Sequence, residues 1–257
     1  MEFQHLLTSI EKETLTITIN RPAQLNALNI STLDEIHRLL SIAQKQEHIR
    51  GIIITGSGDK AFAAGADIKE FAHYTPEQGR KMASEMQMNV FNLMQDYPKP
   101  IIAAINGYAL GGGLELALAA HIRISVPQAK LGLPEVSLGL IPGYGGTQRL
   151  TQLIGRGRAL ELILTAQLID AKTALEYGML NHVVAHDQLL TMAQEILDKI
   201  YKKSRNAVEL GIKAVNGVYR SDVNGFTQEI ELFSSCFGTA DFKEGIQAFL
   251  EKRKANF

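Results

Sequence analysis

The sequence predicts an α/β fold with parallel strand pairing, followed by an all-helical C-terminal region. Three observations carry this expectation. Short, continuously apolar segments recur along the first two-thirds of the chain, helix-like segments alternate with them, and no strand pattern remains from about His186 onward. Strands buried on both faces read as unbroken apolar runs, and such strands joined by helices pair in parallel.

Leu15-Thr-Ile-Thr-Ile19 alternates with period two and predicts a strand. A turn-rich connection, Asn20 to Ala27, leads to Ser31-Thr-Leu-Asp-Glu35, which predicts a capped helix start ahead of Leu33, Ile36, Leu39 and Leu40 at helical spacing. Gly51-Ile-Ile-Ile-Thr55 is a short apolar strand closed by Gly56-Ser-Gly-Asp59. The small-residue run from Ala61 to Glu70 is expected to lead from a strand into a helix. Ile101 to Ile105 predicts a buried strand, then a glycine turn and a helix from about Gly112 to Ala120. His121-Ile-Arg-Ile-Ser125 is the next strand.

In the tail, Gln188 to Tyr201 carries an amphipathic stripe of Leu189, Leu190, Met192, Ala193, Ile196, Leu197 and Ile200. The stretch from Phe226 to Phe249 follows. Its apolar positions Phe226, Ile230, Phe233 and Phe237 run on through Ile246 and Phe249 to Leu250. Such a block either caps the core or docks on another subunit, and its phenylalanine content favours oligomerisation.

Composition narrows the function classes. A chain of 257 residues fits one large domain, or one domain with a modest appendage. Its 46% hydrophobic and 21% charged residues are those of a soluble globular protein. A net charge of −1 argues against a dedicated nucleic-acid or anionic-membrane surface. The single Cys236 excludes an intramolecular disulfide and a cysteine-based metal cluster, which suits a reducing compartment. Met1 to His5 has neither a basic nor an apolar signal region, so a cytoplasmic protein, or the mature form of an imported one, is expected. The apolar run Ile101 to Ile122 is long enough to test as a membrane span. Glu115 near its centre would cost ~2.5–3.5 kcal/mol on insertion scales, and Asn106 and four glycines weaken it further. A buried soluble segment is expected instead.

Several chemistries fail on spacing. A G-x-G-x-x-G reading of the glycine turn would need its third glycine where Leu116 stands. Gly143-Tyr-Gly-Gly-Thr147 lacks the lysine of a phosphate-binding loop. Seven histidines show no ligand spacing, so no metal site is expected, and His121 and His182 read as packed or surface residues. The basic run Lys202, Lys203 and Arg205 reads as solvated surface. No Gly-x-Ser-x-Gly nucleophile turn occurs.

What remains is a set of carboxylates and amides. If a helix begins near Gly112, its first N–H groups lack intrahelical partners and can receive developing negative charge. Glu115 would lie in the first turn, where the helix dipole favours its ionised form. A second carboxylate stands at Glu135. The run Ala61-Phe-Ala-Ala-Gly-Ala66 offers another sterically open N–H, at Ala66, and two converging N–H groups make an oxyanion hole. From these residues alone, a tight turn with a solvent-facing carboxylate and a small-residue packing loop stand equally open.

Phe62-Ala-Ala-Gly-Ala-Asp-Ile68, Asn106-Gly-Tyr-Ala-Leu-Gly-Gly-Gly-Leu-Glu115, Pro134-Glu135 and Ile141-Pro-Gly-Tyr-Gly-Gly-Thr-Gln-Arg149, with the tail Phe242 to Phe257, resemble the crotonase (enoyl-CoA hydratase/isomerase) superfamily. The resemblance spans nearly the whole chain. It implies a crotonase-like spiral of repeated ββα units over residues 1–190, holding the active site, and a helical trimerisation region over 191–257. It implies an acyl-CoA substrate, a homotrimer or a homohexamer built as a dimer of trimers, and no cofactor beyond the CoA carried by the substrate. By motif position, Ala66 and Gly112 match the oxyanion-hole amides, and Glu115 and Glu135 the paired acid–base residues. Ala64 and the segment Ala66, Asp67, Ile68 and Lys69 match the CoA border. Phe233 and Lys252 match tail positions that reach a neighbouring subunit's CoA.

Glutamate at both acid–base positions favours hydration of a 2-enoyl-CoA over isomerisation within that superfamily. Glu115 is expected to orient and deprotonate water, and Glu135 to supply the C2 proton. Another CoA-ester lyase or an isomerase is the runner-up, and an RNA-binding or scaffold role the alternative of a different class. Leu114, Val136 and Leu140 are expected around the pocket, and Tyr144 either lines the acyl pocket or serves the turn. Lys252 and Lys254 either neutralise CoA phosphates or form a solvated tail. Fatty acid β-oxidation, butanoate metabolism and branched amino-acid breakdown all fit such a substrate.

Overall fold

After an opening hairpin that lies wholly in the larger sheet, successive turns of the chain each give one strand to each of two sheets. The computed structural model describes residues 3–257; the first two residues of the Met1–His5 segment lie outside the described residues. A hairpin of β1 (Leu6–Glu11) and β2 (Thr14–Ile19) precedes α1 (Ile30–Gln44). The next unit is β3 (Gly51–Gly56), β4 (Ala61–Ala63) and α2 (Pro76–Met86), which widens into a π-helical turn over Gln87–Asn92 and ends as α3 (Leu93–Gln95). Then come β5 (Ile101–Ile105), β6 (Tyr108–Leu110) and α4 (Gly112–Ala119), followed by β7 (Ile122–Ser125), β8 (Lys130–Gly132) and α5 (Gly146–Ile154). The core closes with α6 (Arg156–Thr165), β9 (Ile169–Asp170), α7 (Ala171–Glu176) and β10 (His182–Val183). Four helices end the chain: α8 (Leu189–Tyr201), α9 (Arg205–Gly217), α10 (Gly225–Cys236) and α11 (Ala240–Leu250).

The larger sheet runs β1-β2-β3-β5-β7-β10 and the smaller β4-β6-β8-β9. Pairing is parallel from β2 through β10, with Ile52 opposite Ile101 and Ile102 opposite Ile122. Only the edge pairs β1–β2 and β8–β9 are antiparallel among the described residues. Every residue of β3 and β5 is buried, as expected for strands covered on both faces. This is the repeated ββα spiral the sequence implied.

Two buried asparagines couple the sheets. Asn106 accepts from the Gly56 N–H (3.1 Å) at the end of β3 and donates to the Ala61 carbonyl of β4 (3.3 Å), to which Asn26 also donates (2.8 Å). A Cβ at Gly107 would lie 2.2 Å from the Lys60 carbonyl oxygen, so the turn into β6 can pass there only as glycine. The loop tips that follow β4 and β6 are thereby brought side by side.

Four expectations need correction. The cap of α1 is Asn29, not Ser31: its backbone is extended and its side chain accepts from the Thr32 N–H at 2.9 Å, which makes Ser31 a first-turn residue. The segment after Ala61 forms only a single 3-10 turn, Ile68–Glu70, and the helix proper starts at Pro76 behind a Thr75–Gln78 capping box. The Phe226–Phe249 block is two helices, separated where Gly238 takes φ +81° and Thr239 caps α11. The strand expected from His121 begins at Ile122, because the His121 ring faces inward and accepts from the Ile101 N–H.

α8 spans the expected boundary at residue 190 and buries Leu189, Ala193 and Leu197 against β3, β5 and β7. α10 buries none of its residues, and Phe226 and Phe249 are 84% and 80% exposed. Among the described residues no helix is long and apolar enough to cross a membrane; Ile101 to Ile122 is consumed by β5, β6 and α4.

Candidate active site

The glycine triplet works by letting backbones touch. Gly111 adopts φ +48°, ψ −126°, a conformation open essentially to glycine alone, and its N–H donates to the Gly132 carbonyl at 2.9 Å. A Cβ on Gly113 would sit 1.9 Å from the Ala63 carbonyl oxygen, so α4 rests directly on the end of β4. Gly112 is the first residue of α4, and its N–H has no place in the intrahelical ladder.

Ala66 reaches the same spot from the other sheet tip. It forms a single parallel bridge with Leu28, in which Leu28 donates to the Gly65 carbonyl and Asp67 donates to the Leu28 carbonyl, both at 2.8 Å. The peptide groups flanking Ala66 therefore face Leu28, and its own N–H points the opposite way. That direction leads to Gly112, where a Cβ would lie 3.4 Å from the Ala66 nitrogen. Both residues line one cleft of about 490 Å³.

Glu115, one turn into α4, is 1% exposed. Its Oε1 accepts from the N–H groups of Tyr144 and Gly146, each at 2.7 Å, and Oε2 takes no hydrogen bond from the described residues. Gly146 has no room for a side chain, since a Cβ would lie 2.9 Å from both Cγ and Oε1 of Glu115. Burial pushes the Glu115 carboxyl up to about 7; the Glu135 charge adds to this, while the Gly146 and Tyr144 amides and the Arg149 charge oppose it. The helix dipole expected to keep Glu115 ionised is thus outweighed by desolvation.

Glu135 opens the 3-10 turn Glu135–Leu138 on the facing wall. Burial raises its pKa too, and its Oε2 is buried with no hydrogen-bond partner among the described residues. Both carboxyls have pKa values raised by burial, and each keeps an oxygen free of protein donors, so they can exchange protons with a molecule between them.

Of the residues anticipated from sequence, Ala64, Ala66, Ile68, Gly112, Tyr144 and Leu140 line this cleft with the two glutamates. Asp67 and Lys69 do not. Side chains alternate along extended backbone, so Asp67 turns away and pairs with Arg21 at 3.0 Å, and Lys69 points to solvent from the 3-10 turn. Leu114 is fully buried in the core and Val136 packs against it, so neither lines the cleft. The Tyr144 ring walls the cleft, stacked on Phe91 at 4.8 Å, while its N–H holds Glu115. Phe233, 65% exposed on α10, and Lys252, just beyond α11, lie outside the cleft of their own chain. His121 is packed, its pKa lowered to about 4 by burial.

Sequence reasoning missed Phe71, Tyr74 and Met82 on one wall, and Leu138 and Ile141 on the lip. Leu138 and Ile141 are 58% and 71% exposed, the sort of apolar surface that marks a binding edge. No local pattern distinguishes such residues from scattered surface apolars before the fold brings them together. Among the described residues no cluster of three His, Cys, Asp or Glu could hold a metal ion.

Comparison with known proteins places the chain in a family. The family model described as enoyl-CoA hydratase/isomerase matches residues 9–257. The chain is 42% identical over 255 residues to a short-chain-enoyl-CoA hydratase of Clostridium acetobutylicum, covering 99% of this chain and 97% of that one. It is 42% identical over 258 residues to a crotonyl-CoA hydratase of Syntrophomonas wolfei, covering 100% and 99%. Its fold superposes on the crystal structure of an enoyl-CoA hydratase from Bacillus anthracis with a TM-score of 0.92 at 41% identity, covering 99% of each chain. On the strength of a match along almost its entire length, the chain belongs to the enoyl-CoA hydratase/isomerase family.

Proposed function

We propose that this protein is an enoyl-CoA hydratase, adding water reversibly across the 2,3 double bond of a short 2-enoyl-CoA thioester to give the 3-hydroxyacyl-CoA. The observation that carries the reading is the pair Glu115 and Glu135, two carboxyls of raised pKa lining one cleft beside two open amides. Glu115 Oε2 takes a proton from water as its oxygen bonds to C3. Glu135 gives a proton to C2, and the electrons of the double bond pass through the enolate form of the thioester. The amides of Ala66 and Gly112 hold the thioester oxygen as it gathers charge. Loss of one such donor typically costs ~2.7–4 kcal/mol. Desolvation keeps one carboxyl able to act as acid while the other acts as base.

The apolar wall of Phe71, Met82, Leu140 and Ile141 suits an acyl chain. No cofactor is called for, since CoA arrives with the substrate. The exposed phenylalanines of α10 and α11 support assembly into a trimer or hexamer, in which Phe233 and Lys252 would border a neighbour's CoA. The test follows enoyl absorbance, its loss on hydration of crotonyl-CoA and longer 2-enoyl-CoAs and its gain on isomerisation of a 3-enoyl-CoA. Hydration of crotonyl-CoA, reduced ~10²–10⁴-fold in both Glu115→Gln and Glu135→Gln, is expected. Turnover of the 3-enoyl-CoA alone would replace hydratase with isomerase.

A further inference from the structure

Arg149 is buried to 6% exposure on α5, yet it bonds to no carboxylate. Each of its three nitrogens is committed: Nη1 donates to the Tyr144 carbonyl (2.9 Å), Nη2 to Asn92 Oδ1 (2.7 Å) and Nε to Gln95 Oε1 (2.8 Å). Burying a guanidinium among neutral acceptors is unfavourable, and an apolar side chain would fill the same space more cheaply. Something other than packing accounts for it.

The guanidinium joins the Gly143–Gly146 loop, through Nη1, to Asn92 and Gln95 of the π-helical turn and α3, through Nη2 and Nε. Arg149 holds the carbonyl of Tyr144, whose N–H, with that of Gly146, reaches Glu115 Oε1. At Gly145 the backbone has φ +97° and wraps the guanidinium so closely that a Cβ would lie 2.1 Å from Nη1. The far side of this clamp is the π-helical turn and α3. Phe91 stacks on the Tyr144 ring at 4.8 Å, so Tyr144 is gripped by both its ring and its carbonyl. The Gln95 carbonyl is fixed in turn by His121 (3.0 Å) and by Asn216 of α9 (2.6 Å). π-Turns are rare and recur at functional sites.

Resting on the hydratase reading, we propose that Arg149 is a positioning residue for hydration: it locks the Gly143–Gly146 loop so that two amides hold Glu115 Oε1 and Oε2 alone faces the water. The ionisable groups facing Glu115 are Glu135 from the 3-10 turn, Tyr144 from the loop and Arg149 from α5. Asp96 acts on Arg149 from behind, and Glu70 and Tyr74 act on Tyr144. The Arg149 charge lowers the Glu115 pKa, so its removal raises that value.

The experiment compares wild type with Arg149→Met and Arg149→Lys, using Glu115→Gln to assign the Glu115 carboxyl band in an infrared pH titration without substrate. In Arg149→Met the band titrates at higher pH, the acid limb of kcat moves the same way, and kcat falls ~10–10²-fold while KM stays within ~3-fold. Arg149→Lys keeps the charge and recovers the band position, but not the full kcat, because it lacks the fork. A folded Arg149→Met whose Glu115 band and acid limb stay at their wild-type positions overturns the proposal. If that variant does not fold, Asn92→Ala decides: a several-fold loss of kcat with an upward band shift supports the clamp, and neither change overturns it. Absence of hydration by the wild type would remove the hydratase reading, while the substrate-free titration still decides whether Arg149 positions Glu115.

Discussion

Glu135 Oε1 occupies the space that a side chain at Gly111 would need, since a Cβ there would lie 2.8 Å from it. Position 111 is also held at φ +48°, ψ −126°. Gly111→Ala therefore strains the backbone and displaces a proposed acid at once. A loss of ~1–3 kcal/mol in urea unfolding is expected from the backbone, together with a fall in hydration of ~10²-fold from the displaced carboxylate. An alanine variant with wild-type kinetics would show that Glu135 need not stand where it does.

The pH profile follows from Glu115. To accept water's proton it must be ionised, and burial places its titration at about 7. Hydration should thus fall about tenfold per pH unit on the acid side of that value. A second limb at higher pH reports the pair losing its last proton, and the two apparent values belong to the coupled pair rather than to either residue. Stopped-flow rates with crotonyl-CoA between pH 5 and 9 measure both limbs (a range set by the titration of the site).

Stability carries the opposite sign. A carboxyl whose folded pKa is raised above its ordinary value of 4.5 favours folding fully only below that value, and the benefit is lost as pH rises toward 7. Keeping this carboxylate ionised above pH 7 costs the fold on the order of 3 kcal/mol. Glu115→Gln keeps an acceptor for the Tyr144 and Gly146 amides without that charge. It should melt above wild type at pH 8, and the gap should close as pH falls through the window to 4.5. A pH-independent gap in calorimetry would mean that packing, not charge, sets the difference.

Local sequence carried the inner strands because β3 and β5 are apolar on both faces, and it carried the glycine turn because its spacing failed every phosphate motif. The edge strand β1 was not legible: only Leu6 of its six residues is buried, so it shows no alternation. Strands of two or three residues, such as β4, β6 and β9, are too short to register a period. Glu115 and Glu135 could be picked out as carboxylates in apolar surroundings. Arg149 could not, since a buried cation on α5 looks like an exposed one until Asn92 and Gln95 arrive from another unit.

The outer helices give a prediction about assembly. Phe226 and Phe249 are mostly exposed in the single chain, a large apolar area to leave in water. Replacing both with aspartate should shift the sedimentation coefficient to that of a monomer. It should also weaken CoA binding, if Phe233 and Lys252 serve a neighbour's cleft. A wild type that sediments as a monomer would overturn the proposed assembly, and an oligomer unchanged by the substitutions would place its interface elsewhere.

Four backbone amides serve the cleft, those of Ala66 and Gly112, which line it, and those of Tyr144 and Gly146, which hold Glu115. None belongs to a side chain. An alanine scan would pass over all of them and credit the chemistry to the two glutamates. Replacing single amide linkages by esters, which removes an N–H and leaves the residue, would reveal their share. The same property lets the lining side chains drift in evolution toward other acyl groups without erasing the donors, provided the glycines that permit the close approach persist.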